Sequence, residues 1–199
     1  MKIGGKQVTP IKYLIRADQA QKGKIESAIK RSSQTHEGHA LAWVHPYHAH
    51  FHLYRNIHPR KTIEDITGPE SHYRNFIAKV AARVKEAPFP LFIFIPELDI
   101  SQVEQALTNV SPATEHIISI STPTTSPRPN LARGWESLRS ALKTLNIKKL
   151  IVIGETGFVS KDGNLISGCT HQVVKKVAEQ GTETQADTSL IFPACFQRA

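Results

Sequence analysis

Leu91-Phe92-Ile93-Phe94-Ile95 is apolar at all five positions. A strand with one wet face alternates apolar and polar residues, because successive side chains point to opposite sides of the sheet. A run with no polar side is expected where both faces are covered, as in a parallel sheet held between helices. Leu150-Ile151-Val152-Ile153 repeats the pattern, and so does Ala40 to Val44 in the strand-like stretch that runs to His45. Further strand-like runs cover Lys12 to Arg16 and His116 to Ile120, with a weaker one from Thr184 to Phe192.

Helical periodicity fills the gaps between these runs. Tyr73, Phe76, Ile77, Val80, Ala81 and Val84 fall on one face of a helix, as do Trp135, Leu138, Leu142 and Leu145. Val173, Val174, Val177 and Ala178 mark a third helix, with Gly181 as its stop signal. Asp99 to Val110 reads as a shorter helix, and Ala17 to Arg31 as a polar, peripheral one. Alternating strands and helices predict an α/β fold: a three-layer α/β/α sandwich around a mostly parallel, Rossmann-like sheet. The chain of 199 residues suits one such domain over residues 36–199, with residues 1–35 as an N-terminal extension of strand plus helix packed on it.

Composition narrows the class of protein. Two cysteines, Cys169 and Cys195, are too few for a disulfide framework and fit a reducing cytoplasm. No apolar run approaches the roughly 20 residues needed to span a bilayer, so no membrane association is expected. The net charge of +8, from 25 basic and 17 acidic residues, favours a small anionic partner. The basic residues are scattered, with Lys148-Lys149 and Lys175-Lys176 as mere pairs, so nucleic acid is the less favoured partner. Association into a homo-oligomer is compatible with the sequence.

Ligands of open parallel sheets bind beyond the carboxyl ends of the strands. Here the strands are followed by His45-Pro46-Tyr47-His48-Ala49-His50-Phe51-His52, by Pro96-Glu97, by Ser121-Thr122-Pro123-Thr124 and by Gly154-Glu155-Thr156-Gly157. Each strand thus delivers polar or titratable groups to one expected rim. His45 and His48 are candidate acid/base groups, since imidazole titrates near neutrality, and Glu97 and Glu155 are candidate carboxylate partners. His48, His50 and His52 project to one side if extended, and so could hold a divalent metal such as zinc. The plain alternative is a polar loop.

Cys169 precedes the third helix, where the helix dipole favours a thiolate and could make it a nucleophile. The alternative is a half-buried cysteine without chemistry. Thr122, Thr156, Arg128 and Arg133 are candidate ligand contacts; the arginines could clamp a carboxylate or phosphate, or simply decorate a Pro-rich loop. Gly154 to Gly157 lacks both standard nucleotide-binding fingerprints. Lys161-Asp162-Gly163-Asn164 is a turn signal; the segment from Gly157 to Gly168 is either a small hairpin or flap over the site or a plain surface excursion.

From Ala40 onward the order of elements resembles the isochorismatase-like cysteine hydrolases. The similar segments are Ala40-Leu41-Ala42-Trp43-Val44, Phe89 to Ile95, Leu150-Ile151-Val152-Ile153-Gly154, and Gly168-Cys169-Thr170 with Gly181. The resemblance implies a three-layer fold and a cysteine nucleophile at Cys169. The family's catalytic Asp and Lys are not matched: His45 or Pro46 stands at the Asp position, and Pro96-Glu97 follows the second strand.

The sequence therefore predicts a small-molecule enzyme, a hydrolase dependent either on a His/Glu-bound metal or on Cys169. The rival expectation is a non-catalytic module that binds an anionic ligand such as a nucleotide, phosphate or nucleic acid.

Overall fold

The computed structural model describes residues 14–16, 37–47, 70–87, 89–96, 103, 107, 110, 117–122 and 135–192. Its strands are β1 (Leu14–Arg16), β2 (His39–Val44), β3 (Leu91–Pro96), β4 (Ile117–Thr122), β5 (Lys149–Glu155), β6 (Gly157–Val159), β7 (Leu165–Gly168) and β8 (Glu183–Phe192). Its helices are α1 (Glu70–Glu86), α2 (Trp135–Thr144) and α3 (Cys169–Ala178). Six strands form one sheet in the order β1-β4-β3-β2-β5-β8, and every pairing in it is parallel. The β6–β7 pair is a hairpin, antiparallel and separate from the main sheet.

The apolar strands have the two-sided burial that their composition demands. Ala40, Ala42, Val44, Phe92, Phe94, Ile118, Ile120, Leu150 and Val152 pack with Leu138, Ala141 and Leu142 of α2 and with Cys169, Val173 and Val177 of α3. Leu41, Trp43, Leu91, Ile93, Ile95, Ile117 and Ile153 face the other way, onto Tyr73, Phe76, Val80 and Val84 of α1 and onto the helical residues Val103 and Leu107. Neighbours in sequence thus enter opposite cores, which makes the three layers. Each fully buried Leu, Ile or Phe adds on the order of 1.5–3 kcal/mol relative to exposure, so the two cores together set the fold.

Strand order locates the site. From β2 the chain winds outward through β3 to β4, with α1 and the Val103–Val110 helical residues on one face. It then returns through α2 to β5, beside β2, and continues through α3 to β8 on the other face. The direction of winding reverses between β2 and β5. At such a point the segments leaving the two strands part toward opposite faces and open a crevice at the carboxyl ends.

One glycine makes that central pairing feasible. Gly154 lies opposite Val44 in register, has φ 126, and a Cβ on it would sit 2.2 Å from the Val44 carbonyl oxygen. No L side chain fits there without moving the central strands.

The structure begins α3 at Cys169, ahead of the Val173 periodicity, and ends it at Ala178; Gly181 follows in the left-handed region, φ 84. β1 pairs with β4 at the sheet edge. The predicted Ala17–Arg31 helix lies outside the described residues.

Gly154→Ala is expected to destabilise the protein by about 2 kcal/mol or more, through backbone strain and steric overlap. Urea unfolding reads this as a lower midpoint; an unchanged midpoint means that β2 and β5 leave room for a methyl group at residue 154.

Candidate functional site

The crevice that strand order places between the tips of β2 and β5 is flanked by the residues that leave those two strands. His45 follows β2 directly, and its backbone N–H donates to the Phe94 carbonyl (2.8 Å), which holds the turn against β3. Glu155 ends β5, and Thr156 follows it. Cys169 opens α3 at the far end of the hairpin. Its backbone N–H donates to the Thr156 carbonyl (2.7 Å), which closes the hairpin base. Gly168 allows this closure: a Cβ there would lie 2.1 Å from that same carbonyl oxygen.

Three side chains from separate elements meet here. The Thr156 hydroxyl lies 3.3 Å from His45 Nδ1, and its polarity favours the ionised form of the neighbouring Cys169 thiol. All three residues are buried. On the α1 side of the crevice, the Tyr73 hydroxyl donates to Glu155 Oε1 at 2.8 Å, across 82 residues of sequence. Tyr47 leans on Trp43, with ring centroids 5.4 Å apart.

The backbone is strained at the same place. Five non-glycine residues have positive φ among the described residues. Glu37 and Asn146 sit in connecting turns. His45 (φ 51), Tyr47 (φ 58) and Thr156 (φ 63) flank the crevice. Left-handed backbone costs an L-residue roughly 1–2 kcal/mol, and such costs concentrate where function holds a side chain in place.

Electrostatics correct one sequence expectation. Cys169 does stand at a helix N-terminus, but its thiol is not acidified. Burial pushes its pKa from 9.0 to about 11, against the opposing effect of the Thr156 hydrogen bond. Only 6% of the residue is exposed, and removal of the thiolate from water outweighs the dipole. The Tyr47 phenol is likewise pushed up to about 12, first by burial and then by the Glu155 carboxylate.

Of the candidate residues, the fold brings together His45, Glu155, Thr156 and Cys169. Thr122 ends β4 on the same carboxyl rim, but β3 and β2 lie between β4 and β5. At about 4.8 Å per strand, its backbone is some two strands from the β2 tip. His48, His50, His52, Glu97, Arg128 and Arg133 lie outside the described residues. Among the described residues, no three His, Cys, Asp or Glu side chains gather as a metal site. Also among them, no helix is long and apolar enough to cross a membrane. His171 is two residues beyond Cys169 in α3, a spacing that points the two side chains apart.

Two tyrosines join the site unforeseen. Tyr73 reads from sequence as one more member of an apolar helix face. Its place near the helix start carries the signal, since a buried tyrosine with its hydroxyl at a strand-end rim seeks a polar partner. Tyr47 reads as rim packing; its positive φ has no counterpart in the sequence.

Alkylation of Cys169 by iodoacetamide is expected to be slow at pH 7 and to climb about tenfold per pH unit toward pH 11, because the thiolate is the reactive form. A plateau near pH 8 means the thiol is not desolvated. Folding stability follows the same group. The folded value lies above the unfolded one, so this contribution is full below about pH 9 and is lost as pH rises through about 11. No family model matches the chain, and no curated protein or solved structure is detectably similar to it.

Proposed function

We propose that the chain is a small-molecule hydrolase working at the β2–β5 crevice, with Cys169 as nucleophile and His45 as its base. The observation that carries this reading is the meeting of His45, Thr156 and Cys169 from the tip of β2, the tip of β5 and the start of α3: Thr156 Oγ1 lies 3.3 Å from His45 Nδ1, and its carbonyl accepts from the Cys169 backbone N–H at 2.7 Å. Resemblance in element order to isochorismatase-like cysteine hydrolases supports the thiol route.

In this mechanism the resting thiol is neutral and the Thr156 hydroxyl relays its proton. The Thr156 hydroxyl, whose donation to sulfur lowers the thiol pKa, turns to donate to Nδ1 of an imidazole protonated on Nε2, and its oxygen then accepts from the thiol. As the sulfur attacks a carbonyl carbon, the S–C bond forms and the C=O π pair moves onto oxygen. The thiol proton passes to Thr156, and the threonine proton passes to Nδ1. Collapse of the tetrahedral intermediate expels the leaving group, which takes the proton from His45. Water then attacks the thioester, with the same imidazole as base. Glu155, tied to Tyr73, fixes the α1 wall of the crevice.

p-Nitrophenyl acetate tests the proposal. The expected result is an acetyl group on Cys169 by mass spectrometry, with a burst of nitrophenolate. Both disappear in Cys169→Ser, and acylation falls by about 100-fold or more in His45→Gln. Acylation at other residues, or persistence of the burst in Cys169→Ser, removes the thiol from the mechanism.

A further inference from the structure

Basic residues that lie apart in the sequence meet at one edge of the fold. α2 and α3 cover the same face of the sheet, since Leu138 and Leu142 share a core with Val173 and Val177. Each crosses over between parallel strands, so both helices run back along the sheet and end at its amino edge, away from the crevice. There the exits of the two helices meet at Lys148, the residue before β5. Its N–H donates to the Gly38 carbonyl (2.7 Å), and its carbonyl accepts from the Glu183 N–H (3.0 Å) where the chain passes from α3 into β8. The turn that joins α2 to Lys148 is closed by the Asn146 N–H, which donates to the Lys143 carbonyl (3.1 Å).

Lys143 stands in the last turn of α2 and Lys175 in the last turn of α3. Arg139 lies one turn before Lys143, on the same side of α2. These three and Lys148 are exposed, and none has an ion-pair partner among the described residues. Their neighbours differ: Lys149 meets Glu183 at 2.9 Å, and Lys176 meets Glu179 at 3.6 Å. Lysines near a helix end answer its dipole, which amounts to about half a negative charge per helix. Two helix ends and the exposed Glu37, in the turn before β2, thus offset roughly half of the charge of the four cations. The remainder is open to an external anion.

The surroundings select the kind of anion. Protein interfaces are built round apolar or aromatic centres and are poor in lysine. Among the described residues the exposed large apolar side chains are Val159 and Ile166, both on the hairpin. A helix that lies on a membrane needs apolar side chains too. Phosphodiester oxygens need only cations on a rigid surface. No exposed aromatic ring stands among the four cations to stack a base, which favours a duplex over a single strand.

We propose that Arg139, Lys143, Lys148 and Lys175 form a surface that binds the phosphate backbone of double-stranded nucleic acid without reading its sequence. The surface lies at the sheet edge opposite the crevice, and the proposal does not rest on the hydrolase reading.

Fluorescence anisotropy with a short labelled DNA duplex tests it. Affinity is expected to fall about 40- to 150-fold between about 50 and 200 mM salt, as for three or four neutralised phosphates. The triple variant Lys143→Gln, Lys148→Gln, Lys175→Gln is expected to lose most of this salt dependence. A control on α1, Lys79→Gln, Arg83→Gln, Lys85→Gln, removes the same net charge and is expected to keep the parent's slope. If the triple variant does not fold, the single variants decide, each lowering the slope by about one. Equal losses in variant and control mean that net charge alone holds the duplex, and they overturn the assignment. Absence of binding by the parent at low salt overturns it as well, as does tighter binding to phosphatidylserine vesicles than to the duplex. Acylation of Cys169 by p-nitrophenyl acetate is expected to be unchanged in the lysine variant, so the two readings stand or fall separately.

Discussion

The pairing of β2 with β5 is the contact on which the rest of the structure depends. Its register runs from His39–Lys149 to Val44–Gly154, and it joins the two halves of the winding. On one side of it the chain leaves toward α1, and on the other toward α3. The strands can run together as far as Val44 only because residue 154 has no side chain. Beyond that point the backbones separate, and the left-handed turns at His45 and Thr156 aim two side chains into the gap. A central packing constraint thus becomes a site: the pairing that leaves no room for a side chain at residue 154 lies directly beneath the strand tips.

Tyr73 and Glu155 are tolerated at this buried tip because they satisfy one another. An isolated carboxylate in such surroundings is expensive to desolvate, and burial without hydrogen bonds is rare for that reason. Glu155 receives the Tyr73 hydroxyl, which also fixes the start of α1 against the sheet. Phe192 at the end of β8 packs on both Tyr73 and Phe76, with centroids 5.1 and 5.0 Å away. The wall of the crevice on the α1 side is therefore held by three elements. On the α3 side, the hairpin returns the chain so that Thr156 and Cys169, its two ends, are joined by a backbone hydrogen bond. Neither wall depends on the hairpin tip, whose residues Lys161 to Asn164 are exposed.

Much of this was legible in the sequence, for a physical reason. Leu91 to Ile95 and Leu150 to Ile153 are apolar on both faces because helices cover both faces, and period alone reveals that. The convergence of His45, Glu155 and Thr156 followed from parallel topology, which sends every strand end to one rim. Lys161-Asp162-Gly163-Asn164 signalled the turn, and the β6–β7 pairing decides for a hairpin over a plain surface excursion. Two kinds of information were not legible. The strand order decides which ends are neighbours, so the two-strand offset of Thr122 from the crevice needs the fold itself. The state of the Cys169 thiol depends on its burial in the core with sheet residues such as Val44 and Val152, distant in sequence, which override the local helix-terminus argument. Tyr73 was hidden for the same reason: its partner is a long way off in sequence, and its spacing is that of a core residue.

The high pKa of Cys169 bears on what kind of chemistry the crevice could support. Loss of a proton to water leaves an isolated anion in a site that gives it little solvation, and that is the process the value of about 11 describes. Transfer through Thr156 to His45 is different, because it leaves the site neutral overall. The imidazolium stays near the sulfur, and its attraction offsets part of the cost of the thiolate in a medium of low dielectric. A site built in this way keeps its nucleophile silent toward water-borne oxidants and alkylating agents, which act on the thiolate. It would spend the proton transfer only when a carbonyl carbon is in place to take up the sulfur's charge as it forms. Burial of the thiol is thus an obstacle to free thiolate chemistry, and at the same time a condition that favours concerted attack with His45 as base.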